Sequence, residues 1–293
     1  YPTKVLQTGV FPQLKPYPKA IEPLKNKEEV TAFFPVFPGT NCDYDTSKAF
    51  YRAGARISTF VFKNLSSEDV LDSIKIMAQK IDESDILVLS GGFSAGDEPD
   101  GSGKFIANVL DQPLVKSAIE RLLERKGLIL GICNGFQALV KSGLLPYGRL
   151  GAVVSDSPTL FRNDINRHIS QMVSTKLVSN ASPWLSSFQG GEIFEIAVSH
   201  GEGKFVCNEK QFKELAESGQ IAFQYVDKNG NATMEGPFNP NGSKFAIEGI
   251  LSKDGLILGK MGHTERYESN LFKNISGNKT QDIFTNAVNY FKK

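Results

Sequence analysis

Cys133 stands in Gly131-Ile132-Cys133-Asn134-Gly135, after the apolar run Gly127-Leu128-Ile129-Leu130 and before the helix-like Phe136-Gln137-Ala138-Leu139-Val140. A cysteine set between glycines where strand gives way to helix is a nucleophile elbow. The turn is sharp, glycines beside the nucleophile remove Cβ clashes, and the thiol projects at the helix N-terminus. The helix dipole and the N–H groups there favour thiolate over thiol. Far downstream, Leu256-Ile257-Leu258 leads through Gly259-Lys260-Met261-Gly262 to His263-Thr264-Glu265. Thiol, imidazole and carboxylate together are the parts for acyl transfer.

The histidine is ambiguous along the chain, because His200-Gly201-Glu202 follows the apolar strand Ile193 to Val198 with the same His-x-Glu spacing. Residues two apart on extended chain point the same way, so either pair can present imidazole and carboxylate together. His168 has no carboxylate beside it. Cys42 and Cys207 lack the glycine setting of Cys133 and read as structural. The loop Ser90-Gly91-Gly92-Phe93-Ser94 can bring backbone N–H groups close to a reacting carbonyl and, with the N–H of Asn134, form an oxyanion hole. No Cys-x-x-Cys or His-Glu-x-x-His spacing marks a metal site.

Positioning these groups requires a sheet. Val30 to Val36, Ile57 to Phe62 and Ile86 to Leu89 read as strands. Helices are expected through Thr46 to Tyr51, after a capping box at Ser66-Ser67-Glu68-Asp69, and over Leu114 to Arg125. That alternation implies a parallel sheet with the elbow strand central and buried, and ligands beyond the carboxyl ends of its strands. After Gly143 shorter strand-like pieces follow, with turns at Asn229-Gly230 and, as a hairpin, Asp254-Gly255. A closing helix over Thr280 to Phe291 carries Ile283, Phe284, Ala287, Val288 and Phe291 on one face.

Composition narrows the classes. With 33 Lys and Arg against 32 Asp and Glu in 293 residues, the net charge of +1 offers no field for nucleic acid. No apolar stretch approaches the roughly 20 residues that span a bilayer, and a cytoplasmic protein is expected. Three cysteines argue against a disulfide framework. Residues 1–29, with Pro2, Pro12, Pro16, Pro18 and Pro23 among lysines, read as a linker or tail, and residues 30–293 as one domain.

Gly131-Ile132-Cys133-Asn134-Gly135-Phe136-Gln137 together with His263-x-Glu265 resembles the triad-type (class I) glutamine amidotransferases. Phe37-Pro38-Gly39-Thr40-Asn41-Cys42, Gly91-Gly92-Phe93-Ser94, Ser199-His200-Gly201-Glu202-Gly203, and Tyr225-Val226-Asp227 followed by Asn239-Pro240-Asn241-Gly242-Ser243 narrow the resemblance to the glutaminase domains of the phosphoribosylformylglycinamidine synthase family. It implies a flavodoxin-like α/β fold, a mostly parallel sheet flanked by helices with mixed strands in the C-terminal half. It also implies that Cys133, His263 and Glu265 form the triad, that the Gly92 and Asn134 amides form the oxyanion hole, and that Gln137, Gly91 and Phe93 hold glutamine. His200 and Glu202, with Asn163, Arg167 and Asn41, become accessory or interface residues.

The resemblance further implies no cofactor and no metal in this chain, ATP and Mg belonging to a synthetase part, expected as a preceding domain of the same polypeptide. Ammonia released here would serve the conversion of formylglycinamide ribonucleotide to formylglycinamidine ribonucleotide. Other thiol amidotransferases, a γ-glutamyl hydrolase and a non-catalytic docking module are the alternatives. Two departures stand out. Thr264 occupies the place of proline in the usual His-Pro-Glu-Arg, which loosens that turn. In the run Asn163 to Gln171 only Asn163 and Arg167 match.

Overall fold

The structure is a computed structural model that describes residues 13–19, 21–94 and 103–293. The first half alternates strand and helix: β1 (Thr31–Val36), α1 (Asp43–Arg52), β2 (Arg56–Val61), α2 (Ser67–Asp82), β3 (Ile86–Leu89), α3 (Lys104–Leu110), α4 (Pro113–Glu124), β4 (Leu128–Ile132) and α5 (Asn134–Ser142). Then follow α6 (Leu144–Tyr147), β5 (Thr159–Phe161), β6 (Ile169–Leu177), β7 (Ile193–His200), β8 (Lys204–Val206), α7 (Glu209–Glu217), β9 (Ile221–Tyr225), β10 (Ile247–Leu251), β11 (Ile257–Lys260) and α8 (Ile283–Phe291). Nine strands form one sheet in the order β2-β1-β3-β4-β11-β10-β9-β6-β7, and β5 pairs separately with β8.

Strands β2, β1, β3, β4 and β11 run parallel, and from β11 onward each neighbour is antiparallel. The expected α/β class, with a sheet mixed in its C-terminal half, is what forms. β3 and β4 are buried along their whole length, because helices cover both faces of the parallel part, and a continuous apolar run satisfies that environment. β6 and β7 instead alternate buried and partly exposed residues, as strands with one dry face do. They are eight or nine residues long, longer than the short pieces the sequence suggests.

Helix boundaries follow local chemistry. Ser66 caps α2 by accepting the Asp69 N–H, but its hydroxyl donates to the Asp69 carboxylate instead of completing a reciprocal box. A full capping box does occur at Asn208 and Gln211, at the start of α7. Neither α7 nor α3 was expected from the sequence. The closing helix starts at Ile283 because Asp282 accepts the Thr285 N–H. Phe284 then meets Phe50 edge-on at 5.1 Å between ring centroids.

Of the segment 1–29, residues 1–12 and 20 lie outside the described residues. Its described part lies along the domain: Tyr17 N–H donates to the Val178 carbonyl, Leu24 N–H to Tyr290, and Leu14, Ile21 and Leu24 pack against the core.

Candidate active site

The β4–α5 junction bends sharply enough to put Cys133 at φ +53°, ψ −106°. An L-residue rarely adopts this conformation, and a site that retains it holds it by its surroundings. Here Cys133 N–H donates to the Lys260 carbonyl at 2.9 Å, and its own carbonyl accepts from Gln137 N–H at 3.1 Å. Gly135 must be glycine, since a Cβ there would collide with the Leu89 carbonyl oxygen where α5 presses onto β3. The thiol sits at the carboxyl end of β4, 3.8 Å from the Ser199 carbonyl.

His263 comes to the same place from β11, next to β4. Its N–H donates to the Ala197 carbonyl at 2.8 Å, and its Nδ1 lies 2.6 Å from Glu265 Oε1. Nδ1 is thereby committed to the carboxylate, which leaves Nε2 for the reacting group. Nε2 makes no hydrogen bond of its own, and the sulfurs of Cys133 and Cys42 stand near the ring. Burial works against a charged ring, but Glu265 and the two sulfurs outweigh it and hold His263 protonated well above the usual histidine range. Burial likewise opposes the Glu265 charge, yet the imidazolium and its hydrogen bond, helped by Arg266, keep that carboxyl below its ordinary range.

The Gly91–Ser94 loop closes over these groups. Gly92 has φ +148°, and a Cβ there would lie 2.5 Å from the Gly39 carbonyl oxygen, so the close approach of the two loops depends on glycine. The Gly91 carbonyl accepts the N–H groups of Asn41 and Cys42, each at 3.2 Å. Where a side chain on Gly91 would begin, His263 Cε1 is 3.0 Å away, Cys42 Sγ 3.1 Å and Cys133 Cβ 3.4 Å. Asn134, first in α5, accepts the Ser94 N–H and donates to Gln137 Oε1 at 3.0 Å, tying loop to helix. Gln137 in turn donates to the Glu202 carbonyl.

A cavity of about 370 Å³ opens above Cys133. Cys133, His263, Gly92, Asn134, Gln137, Phe93, His200, Glu202, Arg167 and Asn41 line it, as do Cys42, Arg162, Asn166, His168, Ser199 and Arg266. Gly91, Glu265 and Asn163 stand behind the wall. Asn163 holds two loops together, donating to the His200 carbonyl at 2.8 Å and accepting Gly203 N–H at 3.0 Å. Sequence reading left Cys42 out, although Arg266 donates to its Sγ at 3.3 Å inside the site. Its signal was the position directly after a site-facing loop. Cys42 Sγ, a His263 nitrogen and a Glu265 oxygen lie within 4.8 Å of one another. The Glu265 bond to Nδ1 and the Arg266 cation at the sulfur make this a hydrogen-bonded cluster. Cys207 lies elsewhere, with its thiol pushed up to about 12 by burial.

His200 differs from His263 in every partner despite the identical spacing. Its Nδ1 faces Asn163 Oδ1 at 3.2 Å, and burial, with the charges of His263 and His168, pushes it down to about 3. Above pH 6.5 the ring is neutral folded or unfolded. As pH falls from 6.5 towards 3, only the unfolded chain takes the proton, so stability drops by up to about 1.4 kcal/mol per pH unit from this group. Urea unfolding at pH 7 and pH 4.5 should therefore show a stability loss about 2 kcal/mol smaller in His200→Gln than in the parent. Equal losses would mean that His200 is not held neutral.

Comparison with known proteins agrees with this geometry. The CobB/CobQ-like glutamine amidotransferase domain matches residues 29–291. The phosphoribosylformylglycinamidine synthase subunits PurQ of Methanococcus maripaludis strains C7 and C5 are each 37% identical over 275 residues, covering 87% of this chain and 95% and 96% of theirs. Among solved structures, a chain of PurLQS from Thermotoga maritima superposes with a TM-score of 0.63 at 26% identity, covering 89% of this chain and 99% of that one. The glutaminase domain of Trypanosoma brucei CTPS, solved with acivicin bound, shares the fold at a TM-score of 0.53 and 12% identity, covering 90% of this chain and 95% of that one.

Proposed function

This chain belongs to the CobB/CobQ-like glutamine amidotransferase family, and from that premise we propose that it hydrolyses L-glutamine and delivers the ammonia to a formylglycinamidine ribonucleotide synthetase. The observation that carries the reading is a thiol on a strained elbow beside a His–Glu pair, at the floor of a cavity of amino-acid size. The relatives whose sequences match along most of their length are named as subunits of that synthase.

Cys133 attacks the side-chain carbonyl carbon of glutamine as the thiolate, and negative charge builds on the carbonyl oxygen. The backbone N–H groups of Gly92 and Asn134 receive that oxyanion. His263, protonated and oriented by Glu265, gives its proton to the departing nitrogen, and ammonia leaves a glutamyl thioester. His263, now neutral, takes a proton from water, which attacks the thioester. Glutamate departs and the thiolate returns. Gln137 and Phe93 hold the glutamine chain, while Glu202 opposite Arg162 and Arg167 offers both signs of charge to a zwitterion.

The chain itself holds no cofactor in this reading; ATP and Mg serve the synthetase, and the compartment is the cytoplasm. Among the described residues no helix is long and apolar enough to cross a membrane. The finer proposal, a synthetase on the same polypeptide, rests on the proline-rich composition of residues 1–29 alone. The size of the native polypeptide decides it.

Glutamate release should rise at least about tenfold when the synthetase, ATP and formylglycinamide ribonucleotide are added, because closure of the oxyanion loop is coupled to the partner. Equal rates with and without them would overturn the coupling. Faster cleavage of γ-glutamyl peptides than of glutamine would favour a γ-glutamyl hydrolase. A complex that forms without any turnover would leave the docking module.

A further inference from the structure

The chemistry above leaves unused an ion pair buried directly beneath it. Lys260 closes β11 and Glu248 lies in β10; both are fully buried, with Nζ 3.4 Å from Oε1. Lys260 Nζ donates to the Gly262 carbonyl at 2.9 Å and to Thr264 Oγ1 at 3.0 Å. Glu248 Oε1 accepts the Gly262 N–H at 2.6 Å, and Thr264 Oγ1 donates to Gln281 Oε1 at 2.6 Å. The Lys260 carbonyl meanwhile accepts the Cys133 N–H. One residue thus holds the nucleophile with its main chain and, with its side chain, the segment carrying His263 and Glu265.

A buried ion pair is a poor source of stability, since desolvation costs several kcal/mol per ion and an apolar pair of similar volume often does as well. Its yield is geometry. His263 sits at φ −91°, ψ 77°, in neither helical nor extended backbone, between Gly262, which does little to restrict the chain, and Thr264, which lacks the fixed φ of proline. Burial pushes the Lys260 ammonium down, whereas Glu248 and Glu265 hold it up. Burial wins, and the ammonium lies below the usual lysine range.

Resting on the triad reading above, we propose that Lys260 and Glu248 are positioning residues. They clamp the backbone around His263 so that its ring meets the Cys133 sulfur, doing by hydrogen bonds what a stiff residue at position 264 would do covalently.

The test is Lys260→Met/Glu248→Gln, which removes both charges, leaves no unpaired buried ion and keeps an oxygen for the Gly262 N–H. In the synthetase complex kcat should fall about 10- to 100-fold, the scale of a small misplacement at a reacting centre. KM should stay within about twofold and the melting temperature close to that of the parent. In the free protein the downfield proton of the His263–Glu265 hydrogen bond should broaden or move upfield, a readout that needs no turnover. Thr264 opens a short 3-10 turn, a position proline tolerates, so adding Thr264→Pro should restore most of the lost kcat.

Parental kcat with an unchanged resonance would overturn the clamp, as would a loss confined to KM or failure of proline to rescue. If the double variant does not fold, Thr264→Val cuts the bridge with both charges in place, and parental kcat there would overturn it equally. An inactive parental complex with the resonance present would defeat the triad reading, while the variants' resonance still decides the clamp.

Discussion

Replacing Cys133 with alanine is expected to cut glutamate release on the order of 10⁵-fold, with the variant folded and still able to bind the synthetase. The size of the loss follows from the mechanism, since without the sulfur there is no thioester and water must attack an unactivated amide. Alanine keeps the Cβ that the φ +53° backbone already accommodates, so the fold is not asked to absorb new strain. The measurement is glutamate formation in the complex, beside a thermal melt. Cys42 makes the result informative in both directions, because its sulfur lies within 4.8 Å of a His263 nitrogen. Residual turnover that vanishes in Cys42→Ala/Cys133→Ala would move the nucleophile to Cys42. Cys42 is the N-cap of α1 at φ −104°, without the strained turn of the elbow, and no rescue from it is expected.

Glu265→Gln should lower kcat by about 10⁴-fold with little change in shape. The carboxylate accepts from His263 Nδ1 at 2.6 Å, which fixes the tautomer that turns Nε2 towards the sulfur. A glutamine amide can present an N–H to that nitrogen and stabilise the wrong tautomer. The sign of the pH effect follows from the same contact. Glu265 raises the His263 pKa against burial; the reaction uses the protonated ring, so without the carboxylate the ring loses its proton at lower pH and the alkaline limb of kcat/KM moves down. Full activity in this variant, or an alkaline limb that stays in place or moves up, would remove Glu265 from the triad.

The elbow was legible because everything it needs lies within a few consecutive residues. An apolar run that can be buried on both faces, glycines where no Cβ fits and a helix beginning at once are local demands written in contiguous sequence. The parallel half of the sheet and the amphipathic face of α8 were readable on the same ground. α7 escaped although its Asn208–Gln211 box is a local signal, because the charged run behind it buries only Phe212 and Leu215. Nothing in the residues beside Lys260 marks it as buried. Its partner Glu248 lies across the β10–β11 hairpin, and no spacing rule joins the two.

The chain by itself therefore determined the fold class and the family and singled out Cys133 as the candidate nucleophile, since propensity, burial period and turn chemistry act over short stretches. The two His-x-Glu units show where that ends. His200 and His263 have the same local pattern, and only packing gave one a carboxylate at 2.6 Å and the other an amide. Proton affinity depends on desolvation and on charges within a few ångströms in space. Those neighbours come from β1's loop, β3's loop and the end of β11, and only the closed sheet brings them together.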